Sequence, residues 1–204
     1  MNSGKKIGVL SLQGAFAEHI ASLQELQVEA LAIRLPRDLE GLDGLIIPGG
    51  ESTVISQLMI SYGLMGVIRR LAQGGFPIFG TCAGLILLAE SALDLDIETI
   101  RAMDIKVRRN AFGRQIDSFE TFLSVPALGE VPFPAVFIRA PIIVETAPGV
   151  ETLARLPDGT PVAARQGNLL VSAFHPELTS DLRFHAYFLD IASQRAYSQV
   201  ETRC

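Results

Sequence analysis

"FPIFGTCAGLILLAES", residues 76–91, is two apolar runs joined by a turn of small residues around one cysteine. The first run, "FPIFG" (76–80), is short and uniformly apolar, as a strand buried on both faces must be. The second, "AGLILLAES" (83–91), reads as a helix. Between them, Gly80-Thr81-Cys82-Ala83-Gly84 forms G-x-C-x-G, the thiol counterpart of a strand–nucleophile–helix elbow. Such a turn is tight, and side chains two before or two after the nucleophile would collide with it or with the packed helix. The following helix offers unpaired N–H groups and a partial positive charge, which favour a thiolate, as would a nearby protonated histidine. The amide of Ala83 is placed to donate to an oxyanion. A second reading stands beside this one: cysteine is among the most buried residue types, and Cys82 could simply fill the core.

Outward from this stretch, the first half of the chain alternates strands and helices. "KIGVLSL" (6–12), "VEALAIRL" (28–35) and "GLIIPGG" (44–50) read as strands. "FAEHIASLQELQ" (16–27) has Phe16, Ile20, Leu23 and Leu26 about one turn apart, the spacing of a helix face. Residues 52–75 are helical, broken near Gly63, with Ser52 or Thr53 as N-cap and Gly74 as stop. This alternation predicts an α/β fold, with a mostly parallel sheet and helices on both faces. The second half carries strand-like runs at 103–113, 135–146 and 153–174, joined by turns such as "LPDGTP" and "QGN" that suit hairpins. A last helix is expected over 179–198, with Ser180 or Asp181 near its N-cap. No linker separates two units, so a single domain over 1–204 is expected.

Bulk properties narrow the function classes. The chain has 204 residues, 49% of them hydrophobic, and a formal net charge of −5, which does not suit a nucleic-acid surface. No apolar run approaches the ~18 residues of a membrane span. The opening "MNSGKKIGVLSLQG" places two lysines before an apolar run, but Ser11 and Gln13 interrupt it, and it reads as a strand instead of a leader. Two cysteines, one of them Cys204 at the very end, suggest no disulfide framework and a cytoplasmic setting.

A nucleophilic thiol needs a base. Of three histidines, His19 and His185 fall inside expected helices, whereas His175 lies in "SAFHPEL" (172–178), just after a strand. Pro176 biases His175 toward extended backbone, in which residues i and i+2 point the same way. Glu177 then sits beside His175 and can accept from one ring nitrogen, leaving the other for Cys82. The result is a Cys-His-acid triad by role. Taken alone, His175 and Glu177 would read as solvated residues of a surface loop.

A third piece is "IIPGGEST" (46–53), a strand running through glycines into a helix cap. It matches neither phosphate-binding glycine pattern, G-x-x-x-x-G-K-[ST] or G-x-G-x-x-G. Bare backbone at Gly49 and Gly50 suits close approach to an oxyanion. The scattered histidines and the lone Cys82 lack zinc spacing, so neither a metal nor a cofactor is expected.

Taken together these stretches resemble the class I, triad-type glutamine amidotransferases, and more closely the glutaminase subunits of pyridoxal 5′-phosphate synthase. The resemblance rests on "GVLSLQGAFAEH" (8–19), "GLIIPGGEST" (44–53), "GTCAGLILLA" (80–89), "RRNAFGRQIDSFE" (108–120), "FIRAP" (137–141) and "AFHPELTSD" (173–181). It implies a three-layer, flavodoxin-like fold. It also implies hydrolysis of L-glutamine to glutamate and ammonia, with the ammonia passed to a partner synthase subunit that builds pyridoxal 5′-phosphate. By the same resemblance Cys82 is the nucleophile and His175 and Glu177 the base and acid. Glutamine contacts fall on Gly49, Gly50, Glu51, Arg109, Ile138 and Arg139, and Gln13 lies near the partner interface and the site. Arginine pairs well with a free carboxylate. Arg139 is expected inside the strand "VFIRAP", and Glu51 either holds the substrate ammonium or caps the next helix. The alternatives are a glutaminase subunit for another acceptor synthase, a thiol peptidase-like protein on the same fold, and a catalytically dead binding module.

Overall fold

Strand β4 (Ile78–Thr81) lies at the centre of a seven-stranded sheet, buried along its whole length. The structure, a computed structural model, describes residues 4–109 and 118–201. β1 (Lys6–Leu10), β2 (Glu29–Ile33), β3 (Gly44–Ile47), β4 and β12 (Leu169–Ser172) run parallel in the order β12-β4-β3-β1-β2. β11 (Pro161–Gln166) and β10 (Glu151–Arg155) extend the β12 edge antiparallel, joined through the two expected turns.

Alternation along β4 sorts the helices onto two faces. Phe79 points to one face, where its ring meets His19 of α1 (Phe16–Glu25) and His185 and Phe188 of α5 (Arg183–Glu201). Gly80 points to the other, against α4 (Ala83–Leu88): a Cβ on Gly80 would come within 2.6 Å of the Gly84 backbone. A Cβ on Gly84 would strike the carbonyl of Ile47 on β3. The two elbow glycines therefore let α4 lie directly on the sheet. α2 (Ser52–Ser61) and α3 (Leu64–Gln73) connect β3 to β4, with Gly63 between them at φ 71°. Among the described residues no helix is long and apolar enough to cross a membrane.

Four expectations need correction. The apolar run 83–91 is helical only to Leu88; β5 (Ala89–Ala92) follows and pairs with β6 (Met103–Arg108). Short apolar runs carry no periodicity that separates buried helix from buried strand. The N-cap of α2 is Glu51, not Ser52 or Thr53; its carboxylate accepts from the Thr53 amide at 3.4 Å. The run 135–146 is not one strand: β8 (Phe133–Ile138) pairs with β7 (Ser118–Leu123), and β9 (Ile142–Thr146) joins β6 in another sheet. Arg139 is the break between them, an exposed residue at φ 42° just past β8, not a strand interior position. Finally, α5 begins at Arg183, four residues later than expected: Thr179 is extended, at φ −119° and ψ 161°, and its hydroxyl accepts from the Asp181 amide at 3.3 Å. Asp181 does sit near that helix start, accepting from the Arg183 amide at 3.1 Å.

Candidate active site

Three parallel strands deliver the site. β12 lies beside β4 with Ser172 opposite Thr81, and the Cys82 amide donates to the Ser172 carbonyl at 2.8 Å. One residue beyond Thr81 is Cys82, and three beyond Ser172 is His175. On the other side β3 pairs with β4, Ile47 opposite Gly80, so Gly49 and Gly50 emerge next to the same thiol. Gln13 follows β1, the neighbour of β3. All these loops leave the carboxyl ends of parallel strands, where open α/β sheets form their ligand crevices.

Cys82 stands at φ 48°, ψ −100°, a region that costs a side chain of order 1–3 kcal/mol. The strain is held by the Ser172 bond on one side and by α4 on the other, and it turns the thiol out of the core. Its sulphur is 3.9 Å from the Ile138 carbonyl at the end of β8. Cys82, His175, Gln13, Gly50, Glu51, Ser52, Ala83, Ile86, Arg109, Ile138 and Arg139 line one cavity of about 260 Å³. That is small for a drug-sized ligand and suited to a single amino acid. A roomier cavity of about 500 Å³ opens at the amino ends of the strands, between Pro36, Asp43, Leu71 and Phe76, but has no cysteine or histidine in its wall.

His175 meets Glu177 as the sequence predicts, though by a different route. His175 has φ −103°, ψ 88°, and Glu177 belongs to the 3-10 turn that follows, so the pair is made by a turn and not by strand alternation. The ring Nδ1 lies 2.7 Å from Glu177 Oε1, with both side chains nearly sealed from solvent. The His175 amide donates to the Val136 carbonyl at 2.8 Å, which pins the loop to β8. Burial alone would lower the proton affinity of the ring. Hydrogen bonding to Cys82 and Glu177, and their charge, override it and push His175 up to about 10. Burial pushes the Glu177 carboxyl up, but the neighbouring His19 and His175 rings outweigh it and hold the carboxyl below its ordinary value.

The glycine turn is fitted to these side chains. A Cβ at Gly49 would run into the His175 ring and come within 3.3 Å of Cys82 Cβ. The Gly49 carbonyl accepts from the Ala15 amide at 3.0 Å, and the Glu51 amide donates to Gln13 Oε1 at 2.7 Å. Gln13 thus lines the site and ties the glycine turn to the loop after β1. Glu51 caps α2 and also pairs with Arg109 Nη1 at 3.1 Å. Ala83 opens α4, so its amide belongs to a first turn without intrahelical partners. Of the segment 108–120, residues 110–117 lie outside the described residues.

Sequence reasoning left three polar residues of the site unread. Ser52 Oγ is buried at the cavity wall and has no hydrogen-bond partner among the described residues. Thr81 Oγ1 contacts His19 Nε2 at 3.1 Å, and that nitrogen lies 3.4 Å from Glu177 Oε2. A histidine in the middle of an amphipathic helix carries no signal for this; only the packing of α1 against the sheet reveals it.

The chain matches the SNO glutamine amidotransferase family over residues 9–194. It is 57% identical over 184 residues to a Moorella thermoacetica protein named pyridoxal 5′-phosphate synthase subunit PdxT, covering 90% of this chain and 97% of that one. A protein of the same name from Dehalococcoides mccartyi is 56% identical over 189 residues, covering 92% and 97%. A crystal structure of a glutamine amidotransferase superposes with a TM-score of 0.87 at 47% identity, covering 92% of this chain and 98% of the other.

Proposed function

The chain belongs to the SNO glutamine amidotransferase family, and from that premise we propose that it is the cytoplasmic glutaminase subunit of pyridoxal 5′-phosphate synthase, with Cys82, His175 and Glu177 as its triad. One observation carries the roles: a strained cysteine, a buried His–Glu pair and a glycine turn converge at the carboxyl ends of β4, β12 and β3.

The reaction follows from that arrangement. The Cys82 thiolate attacks the side-chain amide carbon of L-glutamine. The new oxyanion is met by backbone amides of the Gly49–Gly50 turn and Ala83. The protonated His175 ring donates to the leaving nitrogen, which departs as ammonia and leaves a glutamyl thioester. His175, now neutral, takes a proton from water; hydroxide attacks the thioester, glutamate leaves and the thiolate returns. Glu177 holds the ring by Nδ1 throughout and is not itself protonated.

Substrate recognition fits the charged rim. The Arg109 guanidinium suits the α-carboxylate of glutamine, with Arg139 beside it, and Glu51 suits the α-ammonium. The Ile138 backbone and the Gly49–Gly50 turn flank the amide. The Glu51–Arg109 pair opens when the zwitterion inserts, each charge exchanging its partner for the opposite charge of the substrate.

Ammonia passes to a synthase subunit, and Gln13 lies on the side where that subunit docks. The Gln13–Ala15 loop holds the glycine turn through two hydrogen bonds. A partner pressing on this loop alters the turn, so turnover is low for the chain alone and rises on docking. The test is to mix the chain with the synthase subunit and supply glutamine in place of an ammonium salt. Formation of pyridoxal 5′-phosphate is expected, and glutamate release should exceed that of the chain alone. Failure of glutamine to replace ammonium, or equal glutamate release with and without the partner, contradicts the reading.

A further inference from the structure

Behind the triad, on the α1 face of the sheet, lies a second polar cluster that contributes nothing to the cavity wall. His19 and His185 are fully buried, and their rings meet through His19 Nδ1 and His185 Nε2 at 2.9 Å. His19 Nε2 faces Thr81 Oγ1 at 3.1 Å and Glu177 Oε2 at 3.4 Å. Among the described residues neither Glu177 Oε2 nor His185 Nδ1 has a hydrogen-bond partner, so the 3.4 Å approach of His19 Nε2 is a charge–dipole contact and not a hydrogen bond.

These distances decide where the protons sit. Burial, the largest influence on each ring, lowers both from the ordinary imidazole value, His185 to about 3. Both rings are therefore neutral near pH 7, with one N–H each. If His19 carried its proton on Nδ1, it would donate to His185 Nε2. His185 would then keep an N–H on Nδ1 with no acceptor, and the bare His19 Nε2 lone pair would face a carboxylate. If His19 carries its proton on Nε2, every N–H has an acceptor. His185 Nε2–H donates to His19 Nδ1, and His19 Nε2–H donates to Thr81 Oγ1 while its positive edge faces Glu177 Oε2 at 3.4 Å. Only a lone pair, on His185 Nδ1, is left unfilled. A buried unpaired N–H is the more costly and the rarer defect.

We propose that His19 is a positioning residue for Glu177. Its Nε2–H steadies the carboxylate oxygen that His175 does not use, and His185 fixes the His19 ring in the tautomer able to do so. The proposal rests on the triad reading above. The same N–H also reaches Thr81, the residue before the nucleophile, so one imidazole braces both the acid and the elbow. α1 itself starts beside Ala15, whose amide holds Gly49. The helix that steadies the acid is thus anchored to the glycine turn as well. A carboxylate whose second oxygen faces the positive edge of a fixed imidazole aims its His175-bound oxygen more narrowly than one whose second oxygen faces only apolar groups.

The titratable groups facing His19 are Glu177 from the turn after β12, His185 from α5, His175 beyond Glu177, and Glu18 on its own helix. Removing the His19 ring takes away the electrostatic influence that helps hold Glu177 ionised, and the carboxylate takes up a proton more readily. The acid limb of kcat/KM for glutamine hydrolysis then moves to higher pH.

The test compares wild type, His19→Ala and His19→Gln, each docked on the synthase subunit, with active sites counted by a glutamine analogue bearing an electrophilic carbon. Per titrated site, His19→Ala is expected to lose about 10–100-fold in kcat, with KM for glutamine nearly unchanged and the acid limb displaced upward. His19→Gln, which keeps one donor and one acceptor, recovers most of the loss. An effect on packing alone would lower the number of titrated sites and leave kcat per site and the pH profile unmoved, and that result overturns the proposal. Should His19→Ala not fold, ¹⁵N spectra of the wild-type imidazoles decide: protonation of His19 at Nε2 is expected, and at Nδ1 it overturns the proposal. A wild-type complex that does not hydrolyse glutamine overturns the triad reading itself. Active wild type with an indistinguishable His19→Ala overturns only the role of His19.

Discussion

Ser172 and Thr81 are partners on neighbouring parallel strands, and this single pairing sets His175 against Cys82. The two side chains are ninety-odd residues apart in sequence, yet no loop has to search for the contact. Once β12 pairs with β4 in this register, both residues leave the sheet at the same end. A shift by one position would point the following residues to opposite faces. The chemistry is therefore as stable as the core of the sheet.

The backbone of Cys82 gives a prediction that separates strain from chemistry. Cys82→Ala and Cys82→Gly both lose glutamine hydrolysis, by four orders of magnitude or more, on the order found for other triad nucleophiles. They differ in stability. Alanine still has to sit at φ 48°, whereas glycine does so without steric cost. Cys82→Gly is expected to be more stable than Cys82→Ala by about 1 kcal/mol, read from denaturant midpoints. Equal midpoints would mean that the turn holds no strain.

The contact between α4 and β3 makes a second prediction. Gly84→Ala drives a methyl into the Ile47 carbonyl and must lift α4 off the sheet. A loss of about 1–3 kcal/mol, or more, is expected. Gly66, inside α3, is a control: its Cβ would meet nothing closer than 3.6 Å, at the far end of Arg70. Gly66→Ala should stabilise by up to about 1 kcal/mol. Thermal melts of the two variants check both signs.

The charged rim of the cavity should govern affinity and not stability. The Arg109 and Glu51 side chains are 36% and 43% exposed, so water screens their ion pair and it contributes at most about 1 kcal/mol to folding. Arg109→Ala is expected to raise KM for glutamine by one to two orders of magnitude, as loss of a charge-assisted pair would, with the melting temperature nearly unchanged. Lysine should restore little, because it lacks the planar fork. A normal KM in Arg109→Ala would remove this residue from the substrate site.

Two histidines bend the pH–stability curve in opposite ways. His175 binds its proton more tightly folded than unfolded, about 10 against an ordinary 6.5. Its contribution is complete below pH 6.5 and fades as pH rises toward 10. His185 is pushed down to about 3, so the unfolded chain takes up a proton that the folded chain refuses between pH 6.5 and 3. Through that window His185 removes stability at about 1.4 kcal/mol per pH unit. His185→Gln, which cannot titrate, should show a shallower acid limb by about one proton in urea melts at stepped pH. An unchanged slope would show that His185 titrates normally in the folded chain.

Most of the architecture was legible because glycines and apolar runs report close packing directly. The elbow was read from Gly80 and Gly84, and a Cβ at either position meets the partner element at once. The central strands were read from uniform apolarity, and the hairpins of β10–β12 from their turn residues. The end of α4 was not, since Leu87, Leu88 and Ala89 are all buried and nothing in their order marks the change from helix to strand. Arg139 was misplaced for a related reason: a run of apolar neighbours hides a positive φ. Glu177 was matched with His175 by strand alternation, and a 3-10 turn produced the same meeting. His19 stayed invisible because its partners come from β4, α5 and the turn after β12. Contacts between distant elements leave no local pattern.

The most direct test of the central claim, that Cys82 is the nucleophile of a glutaminase, is covalent labelling with a glutamine analogue that carries an electrophilic carbon. The intact protein and its peptides would be weighed after incubation with the synthase subunit. The account predicts one label per chain on the peptide holding Cys82, none on Cys204, and glutamine hydrolysis lost in proportion to labelling. Label on another residue, or full hydrolysis after Cys82 is labelled or replaced by alanine, would contradict it.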